Sequence, residues 1–164
     1  GEGNKAVELG QEEVVELNEF DVVWLRQDPP FDMHYITTTF ILDAVTAQTL
    51  VVNNPFWVRN FPEKLLVLNF PELIPPTTIT KDINVLKAFK EKHGDIILKP
   101  LYGNGGSGVL RLNLNDQNLG SIVEMYSNFS REPLVAQKFL PQVNKGDKRI
   151  ILVNGDPVLS HKHI

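Results

Sequence analysis

Cysteine is absent from this 164-residue chain. Its absence excludes disulfides, cysteine-type zinc sites and thiol catalysis, and fits a reducing cytoplasm, where we expect the protein. No apolar run approaches the roughly 20 residues needed to span a bilayer, and no signal peptide stands at the start, so no membrane partner is expected. A basic excess is missing too: 16 Lys and Arg stand against 20 Asp and Glu, a net charge of -4 at pH 7. That balance gives no general attraction for nucleic acid, so any phosphate binding must be local. An initiator methionine is also lacking. The chain opens in the polar Gly1-Glu2-Gly3-Asn4-Lys5 and stops just after an apparent hairpin, so we expect part of a longer protein. What is present is globular in composition, 42% hydrophobic and 22% charged. It is enough for one domain or for parts of two.

The chain is organised around Ile96-Ile97-Leu98-Lys99-Pro100-Leu101-Tyr102-Gly103-Asn104-Gly105-Gly106-Ser107-Gly108-Val109-Leu110-Arg111-Leu112. An apolar run carrying one lysine enters a loop rich in glycine, and a second apolar run follows, which reads as strand, flexible loop, strand. Without Cβ atoms, glycines let backbone N–H groups approach an anion closely, so a triphosphate is the natural guest. Gly103 to Gly108 satisfies G-x-G-x-x-G, yet a dinucleotide fingerprint needs a helix after the loop, and here a strand follows. A Walker loop needs Gly-Lys-Ser/Thr, which is absent, and in a protein kinase the lysine comes after the glycines. A plain glycine-rich hairpin is the bland alternative. Lys99 weighs against it, because an ammonium inside an Ile-Ile-Leu strand is costly to bury unless an anion meets it.

Taken in order, residues 1–19 are acidic and weakly patterned, with one short strand expected around Val14 to Leu17. Asp21 to Arg26 reads as a buried strand, Asp32 as the N-cap of a helix running to Val45, and Leu50-Val51-Val52 as a second strand. Strand, helix, strand over about thirty residues is a βαβ unit with a parallel sheet. Residues 55–62 are expected to be a linker, with Pro55 and Pro62 flanking Arg59-Asn60. Glu63 to Leu68 reads as a helix started by Pro62, Thr77 to Thr80 as an extended edge, and Asp82 to Gly94 as a capped helix. Leu119 to Phe129 is a helix whose stripe of Leu119, Ile122, Val123, Tyr126 and Phe129 is core packing. Leu134 to Leu140 is a strand, and Asn154-Gly155 closes a last hairpin. From residue 55 onward the pattern is an α+β lid in which helices cover an antiparallel sheet.

Several residues invite a functional reading beside a bland one. Arg26 and Asp28 fall where open parallel sheets place ligands, beyond the carboxyl end of a strand, although a surface ion pair explains them equally well. Lys64, in the first turn of a helix, opposes the macrodipole and is either solvated or recruited by an anion. Gly146-Asp147-Lys148-Arg149 is either a polar turn or a carboxylate for ribose beside cations for phosphate. His161 and His163 share a strand face but lack the third ligand a metal needs. His34 and His93 are isolated.

With these residues laid out, the chain resembles the bacterial glutathione synthetase family of the ATP-grasp superfamily over most of residues 20–158. Leu25-Arg26-Gln27-Asp28-Pro29-Pro30-Phe31-Asp32 resembles its R-x-D-P-P-F-D loop, and Arg59-Asn60 with Glu63-Lys64 resembles its R-[DN]-x-x-E-K segment. Asp95 to Gly106 resembles its D-I-[IV]-x-K-P-L-x-G-x-G-G hairpin, and Gln137 to Pro141 with Gly146 to Arg149 its adenine hinge and following turn. The four motifs in this order make the resemblance specific.

The resemblance implies a fold of mixed α/β and α+β class: a partial Rossmann-like (pre-ATP-grasp) parallel sheet in residues 1–58, an ATP-grasp lid in 59–138, and the start of a C-terminal subdomain in 139–164. It implies an ATP-dependent ligase that phosphorylates the carboxylate of γ-glutamylcysteine and lets the amine of glycine attack the acyl phosphate. By the same resemblance Lys64 and Lys99 hold ATP phosphates, and the loop Gly103, Asn104, Gly105, Gly106, Ser107 and Gly108 closes over them. The backbone of Gln137, Lys138, Phe139 and Leu140 reads adenine, and Asp147 takes the ribose. Arg149, the expected catalytic residue, meets the reacting phosphate or the substrate carboxylate, while Arg26 and Asp28 bind the dipeptide. Magnesium is implied, with its ligands beyond residue 164 and none within this chain. The implied partners are therefore small molecules, compatible with a homo-oligomer. A polypeptide of these residues alone is expected to be inactive, and the family has an arginine where His163 falls. Another ATP-grasp carboxylate-amine ligase, or a nucleotide-binding module without catalysis, are the alternatives.

Overall fold

A computed structural model describes residues 10–163, the side chains of residues 161–163 apart. The polar opening at Gly1-Glu2-Gly3-Asn4-Lys5 therefore lies outside the described residues. The chain forms two compact units that divide after Pro62.

The first unit is a βαβ arrangement. β1 (Val22–Trp24) pairs in parallel with β2 (Leu50–Val52), and α1 (Met33–Asp43) connects them. Asp32 caps α1 as its spacing foretells, its carboxylate accepting from the Tyr35 N–H at 3.0 Å. The core here is small: Leu25, Leu42 and Val51, with Leu17, Val23, Val45 and Val58 packed against it. A two-stranded sheet cannot bury both faces, so Trp24 is 72% exposed, against the expectation of a strand apolar and buried throughout. Val14 and Val15 are exposed, and the short strand expected near them is replaced by a 3-10 turn, Leu17–Glu19. The expected linker is also corrected. Pro55 stands at the first position of a helix, α2 (Pro55–Asn60), and Asn54 caps it by accepting from Phe56 and Trp57 N–H groups. A proline opens a helix as readily as it breaks one, because the first N–H of a helix has no partner to lose. This helix runs across the boundary expected after residue 58. Arg59 on α2 pairs with Asp43 at 2.5 Å and lies 4.3 Å from the centroid of the Phe40 ring.

The second unit begins with α3 (Glu63–Leu66), a single turn that continues as 3-10 turns through Leu73, where a longer helix to Leu68 was expected. β3 (Thr77–Thr80), β4 (Ile96–Pro100), β5 (Leu110–Leu112) and β6 (Leu134–Lys138) form an antiparallel sheet in the order β3-β6-β4-β5. Helices α4 (Ile83–His93) and α5 (Leu119–Phe129) contribute Leu86, Leu119, Val123 and Tyr126 to its core, where they meet Ile96, Leu98, Leu112, Leu134 and Ala136. The α5 stripe reaches the core except for Phe129, which sits at the helix end and is 85% exposed. β7 (Asp147–Val153) and β8 (Asp156–His163) form a hairpin closed by Asn154-Gly155, with β7 exposed along its length. Asp147 to Arg149 therefore belong to a strand and not to a polar turn.

Side chains alternate across a strand. Ile96 and Leu98 take the helix side, so Ile97 and Lys99 take the other. By register that second face also carries Gln137 and Val135 of β6, Thr77 of β3 and Arg111 of β5. Two of the sequence-predicted residues, Lys99 and Gln137, share that face.

Candidate functional site

The loop between β4 and β5 is built by its glycines and anchored at both ends. Its turns close through Ser107 N–H to Asn104 O at 3.1 Å and Val109 N–H to Gly106 O at 3.3 Å. Gly108 combines a φ of +67° with a tight site, where an added Cβ would stand 2.9 Å from Pro100 Cγ. Gly105 and Gly106 need positive φ, at 58° and 76°, but face open space. Lys64 Nζ donates to the Gly103 carbonyl at 2.5 Å, and the Tyr126 hydroxyl donates to the Gly108 carbonyl. The intervening residues carry the exposed tip.

Lys64 also meets Glu63 at 2.9 Å, but Glu63 is 82% exposed and that pair contributes little. With its own side chain 16% exposed, Lys64 is not the solvated residue that its helix position favoured. Lys99 is partly buried and donates to Gln137 Oε1 at 3.1 Å. Burial holds its pKa below the ordinary lysine value, the neighbouring Lys64 charge lowers it further, and Glu63 pulls the other way. Two ammonium groups thus share a site whose nearest acceptors are mostly neutral. Such a site is short of negative charge.

Lys64 and Lys99 line two adjoining clefts. One, of about 160 Å³, is walled by Pro100, Val109 and the loop residues Gly103, Asn104, Gly105, Gly106 and Ser107. The other, of about 230 Å³, is walled by Val67, Ile74, Thr77, Val135 and Gln137. Glu63 lines both. The first cleft offers backbone and cations, suited to an anion, and the second offers aliphatic walls with one amide, suited to a flat organic group.

The hinge follows β6. Lys138 N–H donates to Pro76 O and Phe139 N–H to Asp95 O, both at 2.9 Å. Pro76, which accepts from the Lys138 N–H, has no N–H of its own to return to the Lys138 carbonyl. Arg111 holds the segment from outside: its guanidinium lies 3.8 Å from the Phe139 ring centroid and 2.7 Å from the Asp95 carboxylate. That bond, then the Leu114 N–H, keeps the Asp95 carboxyl below the ordinary carboxylate range.

Other expected residues are not brought to these clefts. Asp147 and Arg149 lie on β7 and line neither. Arg26 and Asp28 follow β1 in the first unit, exposed, and among the described residues no ion pair joins them. Among the described residues no group of three or more His, Asp and Glu could hold a metal, and the side chains of His161 and His163 lie outside them. Thr77, the Gln137 side chain, Tyr126, Asp95 and Arg111 were not singled out from the sequence. Period-two placement on strands was the available signal, and it does not say which strands are neighbours.

The family model described as "Prokaryotic glutathione synthetase, N-terminal domain" matches residues 1–59, and the one described as "Prokaryotic glutathione synthetase, ATP-grasp domain" matches residues 63–163. The chain belongs to the prokaryotic glutathione synthetase family. A relative named glutathione synthetase, from Mesorhizobium japonicum, is 56% identical over 150 residues, covering 92% of this chain and 48% of its own length. The chain thus spans about half the length of the curated relatives it matches. Among solved structures, a D-cycloserine synthetase aligns with a TM-score of 0.64 at 13% identity, over 84% of this chain and 50% of that one. An ATP-grasp ligase, PsnB, complexed with minimal precursor, Mg and ADP, aligns at 0.57 and 20% identity, over 85% of this chain and 51% of that one. These likenesses establish the ATP-grasp fold of mixed α and β structure. Among the described residues, no helix is long and apolar enough to cross a membrane.

Proposed function

We propose that the full-length protein is a cytoplasmic ATP-dependent ligase that joins γ-glutamylcysteine to glycine through an acyl phosphate. The observation that carries this reading is the convergence of Lys64, Lys99 and the glycine loop on one cleft. A carboxylate is a poor electrophile, and its activation by phosphoryl transfer needs positioning and cations that offset charge. Lys64 and Lys99 would supply those cations, and the loop, tethered at Gly103 and Gly108, would seal the phosphates from water. The backbone of Gln137 to Leu140 would read adenine, next to the aliphatic walls of Val67, Ile74 and Val135 that Gln137 shares. Asp147 is assigned to the ribose, Arg149 to the reacting phosphate or substrate carboxylate, and Arg26 with Asp28 to the dipeptide. The first 58 residues would serve the substrate and residues 59–138 the lid. Residues 139–164 would open the subdomain that supplies magnesium ligands beyond residue 164.

The test is phosphate release by the full-length protein. We expect release from ATP that requires γ-glutamylcysteine and glycine together and yields glutathione. Turnover with a different acid and amine, or ATP binding with no turnover, overturns the assignment.

A further inference from the structure

Three side chains on the open face form a chain of hydrogen bonds across three strands. The Thr77 hydroxyl donates to Pro75 O at 2.7 Å, Gln137 Nε2 donates to Thr77 Oγ1 at 2.9 Å, and Lys99 Nζ donates to Gln137 Oε1 at 3.1 Å. Thr77 stands directly opposite Gln137, and Lys99 is its diagonal neighbour on the other side, so the register of β3, β6 and β4 creates the contact.

Donor inventory fixes the direction of this chain. An ammonium can donate only, and the single hydroxyl proton of Thr77 is committed to Pro75, so Thr77 Oγ1 can only accept. The amide satisfies both neighbours in one orientation, with its oxygen toward Lys99 and its nitrogen toward Thr77. The flipped amide would set an NH2 group against an ammonium and leave a partly buried donor unmet. Gln137 thereby holds Lys99 without neutralising it, which a carboxylate at the same place would do.

We propose that Thr77 is a positioning residue for the phosphate-binding ammonium of Lys99, acting through the orientation of the Gln137 amide. The proposal rests on the nucleotide reading of the cleft. Thr77 need not touch the phosphates. Its hydroxyl decides which end of the amide faces the lysine, and so where the charge is held.

The experiment is a double-mutant cycle in the full-length protein, with ATP affinity measured by titration calorimetry and KM for ATP by steady-state kinetics. Thr77→Val keeps the β-branched shape and should weaken ATP binding about fivefold, the scale of one hydrogen bond. Thr77→Ser should return it to within about twofold of the parent. In a Lys99→Ala background, Thr77→Val should change ATP affinity by less than about twofold, since the group it positions is gone. Gln137→Met, which breaks the chain at its centre, should weaken ATP binding in the parent at least as much as Thr77→Val. An undiminished loss in the Lys99→Ala background, or no loss in the parent, overturns the relay. If Lys99→Ala itself leaves ATP affinity unchanged, the nucleotide reading fails with it, and the single mutant separates that outcome from failure of the relay alone.

Discussion

The two faces of the β3-β6-β4-β5 sheet are made from alternate residues of the same strands and could hardly differ more. On β4, Ile96 and Leu98 are fully buried under helices α4 and α5, while Ile97 and Lys99 take the other face, where Lys99 lines the cleft walled by Val67, Ile74 and Thr77. On β6, Leu134 and Ala136 pack into the core, while Val135 and Gln137 line that cleft. One face stabilises the fold through apolar burial. The other places a partly buried ammonium against a neutral amide, where a bound anion would favour its charge. A single strand thus separates stability from ligand binding at a spacing of one residue, and substitutions at adjacent positions should have effects of different kinds.

The largest effect should come from the covered face. Leu98→Ala removes a wholly buried side chain and should cost about 2–5 kcal/mol of stability, read by chemical denaturation of the full-length protein. Its neighbour gives the opposite pattern. Lys99→Ala should raise KM for ATP at least about tenfold, near 1.4 kcal/mol, with the unfolding midpoint unchanged or slightly higher because a partly desolvated cation is removed. Because burial and Lys64 lower the pKa of Lys99, kcat/KM for ATP in the parent should fall with rising pH earlier than an ordinary lysine would allow, and that limb should be absent in Lys99→Ala. Equal losses of stability at both positions would erase the contrast between the faces.

Within the loop, Gly108→Ala should be worse than Gly105→Ala by about 1 kcal/mol or more in thermal unfolding. Both positions have positive φ, but only at Gly108 does a Cβ meet Pro100, at 2.9 Å. The smallest effect is expected at the hinge. Asp95 has its carboxyl pKa lowered by Arg111 and the Leu114 N–H. Its contribution is present above the ordinary carboxylate range and is lost as pH falls through the lowered pKa. Arg111→Met should therefore bring acid unfolding to slightly higher pH, by about a few tenths of a unit, and raise KM for ATP modestly by loosening Phe139.

What could be seen in the chain beforehand follows from the range of the forces involved. The cap at Asp32, the turn at Asn154-Gly155 and the glycine loop depend on φ, ψ and bonds within a few residues, so they were legible. Lys99 was legible because an ammonium in an Ile-Ile-Leu strand is a local contradiction. The same habit of local reading made Pro55 a break when Asn54 had made it a helix start. It also left Lys64 open between solvent and an anion, when its ammonium reaches the Gly103 carbonyl.

The sequence by itself determined where the backbone turns, which strand positions are apolar, and that a cation leads into a loop able to cradle an anion, because each is a property of neighbours along the chain. Tertiary structure alone decided that Thr77, Gln137 and Lys99 form one hydrogen-bonded line and that Arg111 caps Phe139. These contacts need the strand order β3-β6-β4-β5, in which Thr77 meets a residue 60 positions away. That order is chosen by the collective burial of the opposite face, which no short stretch of sequence encodes.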